Sequence, residues 1–277
     1  MMNAVIKQAA SYVQTNGTPL QQACLRLALG KGSKDEVAQA LSCYQNSDGG
    51  WANGLEVEYP GPVSTPFSTA VALGHIVRNE LTESSLLQRS LDYLAANQLQ
   101  NGSWDDLPQM LGYPHPPYMG PGIYLEFKTA MITKWLLRLP QPPQALLERA
   151  VGFLVERFAA VRNSNDFWTA AGYLNVFAQL PTHQATEILS WATTVLGGNP
   201  NQLVWPQLQA MIEDDLPVSS EALPTALQLI RQEQQDDGGW PHPFGSYNRV
   251  WAACFICRFL VRQAAPESRP ASSRATD

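Results

Sequence analysis

The chain has 277 residues, with 18 Lys plus Arg against 24 Asp plus Glu for a net charge of −6, and 45% of its residues are hydrophobic. That hydrophobic content excludes an intrinsically disordered chain, because it can bury enough surface to offset chain entropy. The acidic balance and the lack of any Lys/Arg cluster exclude nucleic acid as a partner.

Taken from the N-terminus, MMNAVIKQAASYVQ lacks the apolar run of a signal peptide. No later apolar run approaches the ~18 residues of a membrane span, so a cytoplasmic protein without a transmembrane segment is expected. Spacing predicts helices near 3–14, 18–30 and 34–44. The third ends in Gln45-Asn46-Ser47-Asp48-Gly49-Gly50-Trp51. Helices follow near 65–79 and 83–98, and then Gln98-Leu99-Gln100-Asn101-Gly102-Ser103-Trp104. Further helices are predicted near 121–139, 142–162, 166–180, 182–197, 204–214 and 219–235. The last of these leads into Gln234-Gln235-Asp236-Asp237-Gly238-Gly239-Trp240 and a final helix near 247–264. Residues 265–277 read as a disordered tail after a single domain spanning 1–264.

Three segments thus share one frame, Gln six residues before Trp. A helix ends near the Gln, an Asp/Asn-Gly or Gly-Gly step supplies a positive-φ turn, and the Trp buries a large ring against the next element. RSLDYLAANQ from Arg89 aligns with RAVGFLVERF from Arg149, so a fourth unit keeps its helix without the Gln-to-Trp ending; Trp205, after Gly197-Gly198-Asn199-Pro200, marks a degenerate fifth. Helices with one apolar stripe, such as 83–98, alternate with helices apolar nearly all round, such as 121–139 and 166–180. That alternation implies two concentric layers, and twelve helices make six hairpins that close a ring.

The Gln-to-Gly-x-Trp frame, with Arg89, Tyr93 and Leu94 before it, resembles the QW repeat of squalene-hopene and oxidosqualene cyclases, and the DGGW form resembles the repeats of protein prenyltransferase β subunits. The resemblance implies an all-α (α/α)6 toroid. It also implies acid-initiated cyclisation or isomerisation of an isoprenoid or other apolar, polyene-like small molecule in a central cavity. The signatures of the known chemistries are absent. Ser103-Trp104-Asp105-Asp106 and Ile212-Glu213-Asp214-Asp215 each lack the first Asp of D-x-D-D, and neither D-D-x-x-D nor the zinc-binding D-x-C occurs. No cofactor and no metal is therefore expected. Two other roles stay open: a non-catalytic toroid that binds an apolar ligand or partner peptide, and a carbohydrate lyase or glycosidase.

All Gln-to-Trp corners join an outer helix to an inner one, so they gather at one rim, which is the expected mouth. Glu56 and Glu58 lie two apart in a loop expected to be extended, where they would point to opposite sides. A carboxyl in an aromatic pocket stays protonated and can act as an acid, so Glu56, Glu58 and His115, the last in a Pro-His-Pro triplet, are the catalytic candidates. The candidate substrate-binding residues are Tyr59, Phe67, Tyr113, Tyr118, Tyr124, Phe127, Trp168, His242, Tyr247 and Trp251. The acidic Glu213-Asp214-Asp215 is expected to be a solvated loop at the far rim, His75 and His183 ordinary helix residues, and the cysteines core thiols.

Overall fold

The computed structural model describes residues 2–180, 185–196, 205–213, 216, 218–242 and 246–264, with the side chains at 206, 207, 210, 246 and 247 excepted. His183, Gly197 to Pro200, Asp214, Asp215, the Tyr247 side chain and the 265–277 tail lie outside the described residues. Twelve α-helices are present among the described residues. In chain order they are α1 (Met2–Asn16), α2 (Pro19–Ala28), α3 (Lys34–Ser42), α4 (Pro66–Arg78), α5 (Ser85–Asn97), α6 (Leu125–Leu136), α7 (Gln144–Val161), α8 (Phe167–Phe177), α9 (Ala185–Val195), α10 (Trp205–Glu213), α11 (Leu223–Glu233) and α12 (Ser246–Ala264). None is long and apolar enough to cross a membrane.

The even-numbered helices form the inner layer: α4 packs on α6, α6 on α8, α10 on α12, and α12 on α2. Each odd helix from α3 to α11 packs outside the even one before it, and α1 packs on α12, which brings the two ends of the chain together. The fold is an (α/α)6 toroid. Burial follows the two kinds of helix predicted. On α4 nearly every residue from Pro66 to Arg78 is buried, whereas α5 buries only Leu86, Leu87, Ser90, Tyr93 and Leu94.

The repeat owes its form to a glutamine amide that bridges two backbone carbonyls. The Gln45 carboxamide donates to the Gly49 carbonyl of its own corner and to Leu86 O in the first turn of α5. Gln98 does the same to Gly102 O and Leu146 O of α7, and Gln234 to Gly238 O and Val5 O of α1. The last corner therefore clasps the first helix. At each corner the glycine takes positive φ, +86° at Gly49 and +91° at both Gly102 and Gly238. A Cβ there would lie 2.1–2.4 Å from a carbonyl oxygen three residues beyond the clasped one, on Arg89, Arg149 or Gln8. The aligned arginines answer from the other side: Arg89 donates to Asn46 O, and Arg149 to Leu99 O at 2.6 Å. Trp51, Trp104 and Trp240 are fully buried; the indole N–H donates to Ser90 Oγ, Leu94 O and Ile230 O respectively.

Three details differ from expectation. The helix expected from 121 begins at Leu125, because Gly122 and Tyr124 hold positive φ ahead of it, and a short 3-10 turn spans Pro108–Gly112. The segment after Trp51 is not extended: Leu55 N–H donates to Ala52 O and Tyr59 N–H to Glu56 O, so it is a run of turns. Cys43 is exposed at the end of α3, so only Cys24, Cys254 and Cys257 are core thiols.

Gly102→Ala combines the positive-φ penalty with a backbone clash and is expected to destabilise the chain by at least about 2 kcal/mol. Urea unfolding checks it; an unchanged midpoint would show that the corner yields freely.

Candidate functional site

Inside the ring lies a cavity of about 170 Å³. The loop after Trp51 supplies Leu55, Glu56 and Val57 to its wall; α4 supplies Val71, His75 and Arg78; α6 supplies Met131, Lys134 and Trp135. Glu213 closes one side from the end of α10, with His242, Asn248, Trp251 and Phe255 beside it. Pockets for drug-sized ligands run about 300–1,000 Å³, so this one takes a smaller molecule.

Glu56 lies on the cavity wall. It is half-buried, and burial pushes its carboxyl up from 4.5 to about 7, opposed by a hydrogen bond from the Glu58 backbone and reinforced by the Glu58 charge. Glu58 is not on the cavity wall; it accepts a hydrogen bond from Tyr118, whose hydroxyl is held far above its ordinary range by burial and by the two glutamates. On another side of the cavity His242 Nε2 lies 3.3 Å from Glu213 Oε1, which also accepts from Gln209 at 3.1 Å. The expected solvated loop at Glu213 is thus corrected: its side chain lines the cavity, because α10 ends there.

Two cations share that space. Lys134 is fully buried and Arg78 nearly so. The Arg78 guanidinium lies 4.4 Å from the centroid of Trp135 and 4.7 Å from that of Phe255, and Lys134 Nζ lies 5.0 Å from Trp135. Arg78 also donates to Glu213 O. His75 stands between the cavity and a smaller void of about 20 Å³, its ring 4.5 Å from Trp251, and burial with the charges of Arg78 and Arg258 lowers it to about 3. It is a neutral imidazole. Arg78, Lys134, His75 and Glu213 escaped notice as site residues. The available signal was charged or titratable side chains on helices otherwise apolar all round.

Of the aromatic candidates, Trp251 lines the cavity, stacked on Phe255. Phe67, Tyr118, Phe127 and Trp168 come together in a separate strip, in which Phe67 contacts Tyr118 and Phe127, and Phe127 contacts Trp168 at 6.4 Å. Tyr59 is fully buried in a cluster with Phe67 and Met119. Tyr113 and Tyr124 are exposed, and His115, whose Nδ1 is 2.7 Å from Tyr113 O, is not on the cavity wall. The Asp105-Asp106 pair is engaged elsewhere. Buried Lys128 lies 3.1 Å from Asp105 and 2.8 Å from Asp106 and donates to Gly120 O, while the two carboxylates accept from Gly122 and Gly120 N–H. This knot pins the Pro/Gly-rich loop over α6.

No family model matches the sequence, and no curated protein matches it. Solved structures do. Type II terpene cyclase MstE from Scytonema superposes with a TM-score of 0.63 at 13% identity, over 95% of this chain and 98% of that one. A variant of that enzyme in complex with geranylgeranyl dihydroxybenzoate, its substrate, gives 0.60 at 13% over 95% and 97%. A protein from Actinoplanes gives 0.60 at 14% over 96% and 100%. At such identities the likeness is one of fold.

Two outcomes test the site. Lys128→Met leaves two carboxylates without their cation and is expected to cost about 3–5 kcal/mol in urea unfolding; near-neutral behaviour would mean the knot is not formed. For Glu56, the folded state holds a proton from about pH 4.5 to about pH 7 that the unfolded state has lost, so stability falls as pH rises through that window. Glu56→Gln mimics the protonated form and should therefore stabilise the chain at about pH 8 relative to pH 4, by up to roughly 3 kcal/mol. An equal effect at both pH values would place the Glu56 carboxyl in water.

Proposed function

We propose that this toroid is a terpenoid cyclase-like enzyme that isomerises or closes a ring in a small isoprenoid-like molecule by acid–base catalysis in the central cavity. The observation that carries the proposal is Glu56, a carboxyl held near neutrality by burial on the wall of an aromatic cavity. The fold shared with type II terpene cyclases supports it, since MstE binds an isoprenoid-bearing substrate.

Glu56 gives its proton to an alkene carbon or a polarised oxygen of the bound molecule. The electron pair that forms the new bond leaves a neighbouring carbon electron-poor. His242, oriented by Glu213, accepts a proton from the adjacent carbon, and the C–H pair becomes the new double bond. The product is an isomer, with no net oxidation. The proton returns from His242 to Glu56 through solvent or cavity water to complete the cycle.

The cations limit the chemistry. The Trp135 and Phe255 faces that would otherwise stabilise positive charge already carry Lys134 and Arg78. A single proton shift or ring closure fits this wall better than a long cationic cascade. The cavity volume supports the same restriction.

Incubation with short-chain isoprenoid alcohols, acids and epoxides in heavy water, followed by mass analysis, tests the proposal. The parent should place deuterium in an isomer, and Glu56→Gln and His242→Gln should each lose about 10²-fold or more in rate. Unchanged turnover in Glu56→Gln would remove the proposed acid.

A further inference from the structure

The aromatic strip and the cavity are built on the same two helices. On α4 Phe67 stands at the second position, and Val71 and His75 follow at intervals of four; on α6 Phe127 and Met131 are again four apart. Residues four apart share a helix face. Val71, His75 and Met131 line the cavity, so Phe67 and Phe127, whose ring centroids lie 5.9 Å apart, continue its wall toward the rim from which both helices start. At about 1.5 Å per residue each step along that face is roughly 6 Å. The cavity wall thus begins one helical turn below an apolar, aromatic surface.

One side chain stands at that junction. Tyr118 sets its ring edge-on to Phe67, with centroids 6.4 Å apart, and its hydroxyl donates to Glu58, two residues beyond the Glu56 of the cavity wall. The Glu56 charge acts on the same hydroxyl, so the ring bridges α4 and the loop that carries both glutamates. The backbone of Tyr118 has little room to retreat. Fully buried Met119 follows it, and Gly120 is pinned on both sides, its carbonyl by Lys128 and its N–H by Asp106. Met119 and the Lys128 knot already anchor this loop, whereas the Tyr118 side chain is only half-buried.

We propose that Tyr118 sets the longest chain the cavity accepts, its ring closing the mouth end between Phe67 and Glu58. This gives the function proposed above a substrate limit and rests on its isoprenoid reading. From Val71 to Arg78 the α4 wall spans roughly 10 Å, a length that two isoprene units cover. A third unit would have to occupy the place of the Tyr118 ring. With that ring removed, the added unit reaches the faces of Phe67 and Phe127, which are apolar and take it out of water.

The experiment measures binding, apart from turnover. Prenol, geraniol and farnesol share one head group and gain one isoprene unit at each step. Equilibrium dialysis against the full chain, read by mass analysis, gives the three affinities. Burying a further isoprene unit tightens binding by at least about tenfold. The parent should show that gain from prenol to geraniol, and farnesol should bind no tighter than geraniol to within about threefold. Tyr118→Ala should bind farnesol about tenfold or more tighter than geraniol, while Tyr118→Phe, which keeps the ring, should retain the parent's limit. A residue that merely steadied the loop would weaken all three ligands alike and leave their ratios unchanged. Thermal melts report whether the variants fold; if Tyr118→Ala does not, Tyr118→Leu, which keeps an apolar contact for Phe67, should still admit farnesol. A farnesol gain in the parent, unchanged ratios in the truncated variant, or a limit lost in Tyr118→Phe would each overturn the inference. Binding of none of the three by the parent would overturn it together with the isoprenoid reading. Glu56→Gln separates Tyr118 from the acid: it should keep the length limit and lose turnover. A parent that holds the limit but turns over nothing therefore counts against the acid alone, and a parent that turns over isoprenoids without a limit counts against Tyr118 alone.

Discussion

A single carboxamide, used three times, organises this molecule. Each corner glutamine bridges a glycine carbonyl in its own turn to a first-turn carbonyl of the next outer helix. First-turn carbonyls inside a helix already have partners, but they keep a second lone pair, and the Gln amide supplies two donors. The bridge sets the spacing between successive outer helices, and the corner glycine lets the backbones approach to a distance no side chain would allow. The buried indole then anchors the corner to the inner layer. Because the final clasp falls on α1, the same local interaction that links neighbours also closes the ring.

Closure makes the interior unlike an ordinary helical core. Inner helices must be covered on every side, and most of the residues on α4, α6 and α8 are buried. What remains open is a small space at the axis, where side chains from several inner helices meet. Charge in that space is expensive, yet it holds Arg78, Lys134, Glu213, His242 and Glu56. Aromatic faces share in holding the two cations, burial raises the Glu56 carboxyl to about 7, and Gln209 steadies Glu213. Charged and aromatic groups thus line the cavity together.

The loop after Trp104 shows how one residue pair can look catalytic and be architectural. Asp105 and Asp106 belong to one of the chain's two near matches to an acid motif, but Lys128 and two backbone N–H groups engage them. Glu56, also on the cavity wall, belongs to no such motif. It was legible as a candidate because it follows a repeat Trp at the rim, although the backbone there turns where an extended segment was expected.

The sequence by itself determined the twelve helices, their alternation into two layers and the place of each corner. Those features rest on spacings within one short window: an apolar period, a Gln six residues before a Trp, a glycine where φ must be positive. Even the match of Arg89 with Arg149 is local, and both side chains return to the preceding corner as that match implies. Only the tertiary structure decided which rim residues share a cavity. It joined Glu56, His242 and Trp251, set Phe67, Tyr118, Phe127 and Trp168 in a separate strip, left Tyr113, Tyr124 and His115 off the wall, and brought in Arg78, Lys134 and Glu213. Such meetings depend on the curvature of the whole ring and on how far each inner helix runs before it stops. Those quantities accumulate over many contacts, and no single window of the chain contains them.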